Sequence, residues 1–141
     1  MNWQNQWKSV SESNKPIIQF LETVNEESST LLDLGCGKGI LSELARKKGF
    51  IVTSIDLGNT PYKHTIKTDS KTLQGYWDYI VAAGFPPSQL PKNVECNFYI
   101  YTTQREDFVE HYPGNLYYDG DIFIKTNIKN FFDDKIRRKS R

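Results

Sequence analysis

Residues 30–57 read TLLDLGCGKGILSELARKKGFIVTSIDL, a stretch in which the apolar pattern changes period three times. The run at 30–34 is short and apolar, which predicts a buried strand. Gly35, Gly37 and Gly39 then alternate with Cys36 and Lys38 in a turn. Beyond it Ile40, Leu41, Leu44 and Ala45 recur at helical spacing with Glu43, Arg46, Lys47 and Lys48 opposite, so residues 40–48 should form an amphipathic helix that Gly49 closes. Residues 50–55 are a second apolar strand, and Asp56 stands at its tip. Strand, glycine turn, helix and acid-tipped strand make half of a nucleotide-binding crevice.

The spacing of the glycines narrows the nucleotide. A dinucleotide fingerprint runs Gly-x-Gly-x-x-Gly, but here the sixth position is Ile40 and the third glycine comes one residue early, at Gly39. A phosphate loop of the Gly-x4-Gly-Lys-Ser/Thr kind also fails, because Gly37-Lys38 is followed by Gly39 and no hydroxyl is left for magnesium. What remains is Asp33 two residues before Gly35, three alternating glycines, and Asp56 lying 21 residues past Gly35. On DLGCGKG and SIDL the chain resembles the class I S-adenosylmethionine-dependent methyltransferases. The resemblance implies an α/β, doubly wound Rossmann-like sheet of about seven strands ending in an antiparallel hairpin, and S-adenosylmethionine as cofactor. Positions without side chains let the backbone approach a ligand closely, and an acid beyond the second strand can accept both ribose hydroxyls. The donor carries a sulfonium and an ammonium but no phosphate, so an acid beside the loop is tolerated where a phosphate would be repelled. Carried onto this sequence, the cofactor-binding positions are Asp33, Gly35, Cys36, Gly37, Gly39, Asp56, Leu57, Asp69, Ser70, Ala83 and Gly84.

The 141 residues suit one domain: an N-terminal helical segment over 1–29, a core over 30–128 and a basic tail over 129–141. A net charge of +1 argues against a whole-chain field for nucleic acid or membrane, so a basic partner surface would have to be local. Two cysteines without paired spacing, and no secretory leader, predict a reduced, cytoplasmic setting. No apolar run approaches the roughly 18 residues that would cross a bilayer. His64 and His111 have no partners at ligand spacing, so no metal site is expected.

At the amino end, Trp3 and Trp7 fall at helical i, i+4 spacing, either as a lid over the cofactor or as an ordinary buried helix face. A helix over residues 16–24, capped by Ser11 or Ser13, should bury Ile17, Ile18, Phe20, Leu21 and Val24. After Asp56 comes LGNTPYKH, which is loop chemistry, so the crossover from the second to the third strand (65–68) should lack its helix and leave the adenine side open. Asp69-Ser70 follows, where the family often places an acid on the adenine amino group; a plain helix cap is the other reading. Residues 77–84 should form a buried fourth strand, with Phe85-Pro86-Pro87 at its carboxyl end as substrate-side candidates. In the family that the chain resembles, amino-group methyltransferases acting on nucleic acid or protein often show Asn/Asp-Pro-Pro-aromatic there, but Phe85 replaces the acid or amide and Ser88 the aromatic. Three prolines in 86–91 exclude a full helix before the fifth strand, expected over 97–103. Residues 105–112 suit a short helix, and Asp119-Gly120 predicts a hairpin between 116–118 and 121–128.

Lys125, with Lys15, is similar in placement to the lysines of ribose 2′-O-methyltransferases, making it the catalytic candidate. The acid of that set would fall on Ala83, however, and with 97–103 as strand five Lys125 belongs to strand seven instead. Five basic residues in the final seven, KIRRKSR, read as a solvated terminus or a nucleic-acid contact. Two functions follow: a compact methyltransferase of unassigned substrate, with RNA or another nucleic acid favoured, or a non-catalytic methyltransferase-like module that binds the cofactor or a protein partner.

Overall fold

The sheet is built outward from the predicted strand–turn–helix–strand unit. The computed structural model describes residues 14–24, 28–83, 90–102, 115–119, 122–126 and 139–140. β1 (Thr30–Leu34) is central, with β2 (Ile51–Asp56) and β3 (Thr65–Lys67) parallel to it on one side. On the other side lie β4 (Gln74–Ala83) and β5 (Asn93–Thr102), also parallel. β7 (Ile122–Thr126) runs antiparallel to β5 and pairs with β6 (Asn115–Asp119), which pairs in turn with β8 (Lys139–Ser140). The order β3-β2-β1-β4-β5-β7-β6-β8 is the doubly wound sheet with a closing antiparallel hairpin that the glycine-turn motif implied. Because the chain winds outward in opposite directions from β1 and β4, their carboxyl ends leave a crevice between them.

Both described helices lie on one face. α1 (Asn14–Thr23) places Ile17, Ile18, Phe20 and Leu21 against the sheet, and Val24 follows it inward; all five expected residues are buried. Pro16 sits in its first turn, where a missing N–H costs nothing. α2 (Ile40–Lys47) buries Leu41 and Ala45 in the same cluster, over Leu31, Val52, Tyr79 and Val81. The opposite face, with Leu32, Leu34, Ile80, Tyr99 and Tyr101, is covered without a described helix: Leu90 packs there, with Leu73 next to the 3-10 turn Ser70–Thr72. Those sheet residues are nonetheless buried. No helix among the described residues is long and apolar enough to cross a membrane.

The structure moves several boundaries. β4 begins at Gln74 and β5 at Asn93, earlier than 77 and 97, because the two strands pair with each other from Gln74 and Asn93 onward, beyond the amino end of β1. The apolar runs marked only the parts buried on both faces; the extensions carry exposed Gln74, Gly75, Tyr76 and Asn93. Asp78 secures this overhang, its Oδ2 accepting the Thr30 N–H at 2.8 Å while the Thr30 hydroxyl accepts the Asp78 N–H at 2.8 Å. Within the basic tail, Lys139 and Ser140 pair with Tyr118 and Tyr117, so part of it is an edge strand. Trp3, Trp7, Ser11, Ser13, residues 84–89, the helix expected at 105–112 and the turn at Gly120 lie outside the described residues.

Candidate functional site

Gly35, Gly37 and Gly39 all take positive φ, at 72°, 53° and 81°, which turns the chain from β1 into α2 within a few residues. Two of them do more than turn. At Gly37 no described atom lies within 4 Å of where a Cβ would stand, so among the described residues the turn is uncovered on that side. Gly39 is the reverse: a Cβ there would meet the ring of Tyr62 at 2.2 Å, so only glycine admits that ring.

Asp56, at the tip of β2, turns toward the glycine turn. Its Oδ2 accepts the Gly37 N–H at 3.1 Å and its Oδ1 the Gly58 N–H at 2.9 Å. A carboxylate has about four lone-pair sites, so each oxygen keeps acceptor capacity beyond these bonds. Leu57 beside it is 54% exposed, an apolar surface next to the acid. A diol could be gripped at this spot, with a flat apolar group laid alongside.

Asp33 is placed differently from Asp56. It is buried under the first turn of α2, where the Ser42 hydroxyl donates to its Oδ2 at 2.6 Å and the Ser54 hydroxyl lies 2.7 Å from that of Ser42. Burial pushes its pKa up from 3.8 to about 6, against the lowering effect of the Ser42 bond, and the charge of Asp56 adds to the rise. Two carboxylates thus flank one glycine turn, a setting that favours a cation. Cys36 is buried with its Sγ 3.3 Å from the Thr65 hydroxyl, and burial pushes its thiol up. Cys96 is pushed up to about 12 for the same reason. Neither is an activated nucleophile.

Asp69 and Ser70 lie beyond β3, where Asp69 Oδ1 accepts the Lys71 N–H at 3.0 Å and caps the 3-10 turn, with Ser70 buried. Ala83 closes β4 opposite Thr102 of β5, at the carboxyl edge that Leu34 and Asp56 share. Gly84, Phe85, Pro86 and Pro87 lie outside the described residues. Lys125 is on β7 opposite Tyr99, three residues back from Thr102. At about 3.3 Å per residue it stands about 10 Å below the carboxyl edge, so the structure does not bring it to the turn. His64 packs edge-on against Tyr62. Among the described residues no three His, Cys, Asp or Glu side chains gather as a metal site would require.

Four contributors escaped the motif reading: Ser42, Ser54, Thr65 and Tyr62. Ser42 left a signal, since it lies between Leu41 and Ala45 on the buried side of α2, and a polar group there needs a partner. Tyr62 left none, because its place on Gly39 depends on the path of a loop without periodic pattern.

A family profile described as a methyltransferase domain matches residues 7–85, more than half of the chain. The ubiquinone biosynthesis O-methyltransferase of Pseudomonas fluorescens (strain Pf0-1) is 37% identical over 59 residues, which are 41% of this chain and 25% of that protein. The enzyme of the same description from Vibrio vulnificus (strain YJ016) is 42% identical over 45 residues, 29% of this chain and 19% of that one. The chain therefore spans a quarter or less of the curated relatives it matches. Among solved structures, a ribosomal protein L11 methylase from Lactobacillus delbrueckii subsp. bulgaricus superposes with a TM-score of 0.55 at 18% identity, covering 82% of this chain and 78% of that one. A TehB-like SAM-dependent methyltransferase from Corynebacterium glutamicum gives 0.53 at 17%, covering 88% and 94%. At such identities the likeness is one of fold.

Proposed function

The chain belongs to the methyltransferase domain family, whose members use S-adenosylmethionine, and on that premise we propose that residues 30–83 form its donor pocket and that the protein transfers the donor's methyl group to an acceptor. The carrying observation is the pairing of Asp56 with the turn at Gly37: an acceptor-rich carboxylate held by that N–H, beside a glycine whose Cβ side meets none of the described residues.

The residues fit such a donor. Asp56 would take the ribose hydroxyls with its remaining acceptor sites, Leu57 would face the base, and the space at Gly37 would admit the methionine part. Asp33, buried below the turn, supplies negative potential for a ligand bearing positive charge. When bound, S-adenosylmethionine supplies a methyl group on a sulfonium, which passes to the acceptor's nucleophilic atom as the carbon–sulfur bond breaks. The protein's share is to bind and orient two partners so that the acceptor lies in line with that bond, which can account for much of a rate enhancement. Asp69 at the adenine side, and Phe85, Pro86 and Pro87 at the acceptor side, complete the proposed site. The free cysteines accord with the reducing, cytoplasmic setting we assign. Basic Lys135, Arg137, Arg138, Lys139 and Arg141 make nucleic acid the first acceptor class to test.

A second reading has its own observation. The β2-to-β3 crossover lacks a helix, and the described carboxyl ends of β4 and β5, Ala83 and Thr102, offer no titrating side chain. A module that holds the donor without chemistry would look the same. Calorimetry with S-adenosylmethionine and S-adenosylhomocysteine, then transfer of labelled methyl to RNA, DNA and protein fractions, decides between them. Binding with label transferred supports the enzyme, and binding with label in no fraction supports the module. No binding at millimolar ligand overturns both.

A further inference from the structure

The loop at residues 57–64 takes the place of a crossover helix, yet it is cross-tied to the glycine turn along its length. Gly58 bonds Asp56 Oδ1, and Asp56 Oδ2 bonds Gly37. The Thr60 hydroxyl lies 2.7 Å from that of Thr65, which lies 3.3 Å from Cys36 Sγ. At the centre of these ties Tyr62 is 9% exposed with its ring seated on Gly39. Its hydroxyl donates to Glu43 Oε1 at 2.8 Å and accepts from Arg46 Nε at 3.0 Å, while the Arg46 guanidinium also donates to the Val52 carbonyl at 3.1 Å. Gly39, Glu43 and Arg46 are spaced four and three residues apart, one side of a helix. A ring locked on that side joins the loop, the start of α2 and the edge of β2 into one body.

We propose that Tyr62 is the positioning residue of the donor pocket: seated on Gly39 and anchored by Glu43 and Arg46, it holds the loop against the turn so that Gly37, Asp56 and Leu57 stand ready for the nucleoside. The proposal rests on the donor-pocket reading above. It makes Gly39 specific for glycine on account of the ring, as well as of its positive φ, rather than the ligand, and gives a single aromatic side chain the task that a helix would otherwise perform. The consequence is quantitative, because a site that is competent for only a fraction of the time binds more weakly by that fraction.

The test uses the full chain and S-adenosylhomocysteine as probe, at a temperature where circular dichroism shows every variant folded. Tyr62→Ala should leave the site competent roughly one-tenth of the time and raise Kd roughly tenfold. Tyr62→Phe, which retains the seated ring, should stay within about threefold of the parent. Gly39→Ala should weaken binding more in the parent than in the Tyr62→Ala background, where the ring no longer opposes the new Cβ. In the ligand-free protein, Tyr62→Ala should also speed amide exchange at Gly37 and Gly39, whose N–H groups bond Asp56 and the Cys36 carbonyl. An unchanged Kd for Tyr62→Ala overturns the proposal. A raised Kd with unchanged exchange makes Tyr62 a ligand contact and overturns it too, and a loss by Phe equal to that by Ala overturns the ring as the holding element. If the parent itself fails to bind, the donor reading falls, and exchange at Gly37 and Gly39 still decides whether Tyr62 holds the turn.

Discussion

Replacing Asp33 with asparagine should make the protein more stable at neutral pH and less able to bind its donor. Asp33 is 3% exposed, and burial lifts its pKa from 3.8 to about 6. A group whose folded pKa is raised contributes its stability in full below the unfolded value and loses it as pH rises through the folded value. The window is therefore about pH 4 to 6, and the loss over it is about 3 kcal/mol at 1.36 kcal/mol per unit. Asparagine carries no charge and still accepts the Ser42 hydroxyl, while its amide group lacks an assured partner, which returns about 1 kcal/mol. The net expectation is about 2 kcal/mol of added stability at pH 7, falling toward zero or below near pH 4. Urea unfolding of parent and Asp33→Asn from pH 4 to pH 8 reads the difference directly; in thermal melts at pH 7 it corresponds to roughly 6 °C. Because the ionised carboxylate favours a cationic ligand, the variant should also bind S-adenosylmethionine more weakly. A difference between the two proteins that stays flat from pH 4 to 8 would show that Asp33 does not titrate in this window. A variant less stable than the parent at pH 7 would refute the desolvation argument.

Three other substitutions probe the same turn. Asp56→Ala should weaken S-adenosylhomocysteine binding by about 1 to 3 kcal/mol, roughly 5- to 150-fold, through lost charge-assisted bonds; calorimetry giving parental affinity would misplace the ribose. Gly37→Val should abolish binding while far-ultraviolet circular dichroism stays native, since the new side chain meets none of the described residues; its positive φ should cost about 1 to 2 kcal/mol in unfolding experiments. Ser42→Ala strips the buried carboxylate of its 2.6 Å donor and should destabilise the fold by about 1 to 3 kcal/mol at pH 7. That loss should shrink below pH 5, where Asp33 binds a proton, and a loss independent of pH would count against the Asp33–Ser42 pairing.

How far the sequence could be read follows from the range of the forces involved. The β1–turn–α2–β2 unit, the buried faces of both helices, the missing β2-to-β3 helix and the closing hairpin were legible, because each rests on short-range rules: apolar period, glycine at positive φ, proline in a first turn, Asp-Gly at a reversal. The acid at the tip of β2 was legible for the same reason, as a residue at fixed distance from a glycine motif. The amino-terminal halves of β4 and β5 were not, since they are held by each other and by Asp78 reaching Thr30, 48 residues away in sequence.

The site divides in the same manner. The sequence alone determined that a glycine turn flanked by two acids exists, since spacing carries that information locally, and the family resemblance added the kind of ligand such a turn takes. Tertiary structure decided how the two acids differ, burying Asp33 against Ser42 with its pKa raised and leaving Asp56 to hold Gly37 with acceptor capacity to spare. It also decided that Gly39 is matched to Tyr62, 23 residues further along. Desolvation and close contact depend on which distant segments come to lie on a residue, and no local pattern encodes that neighbour.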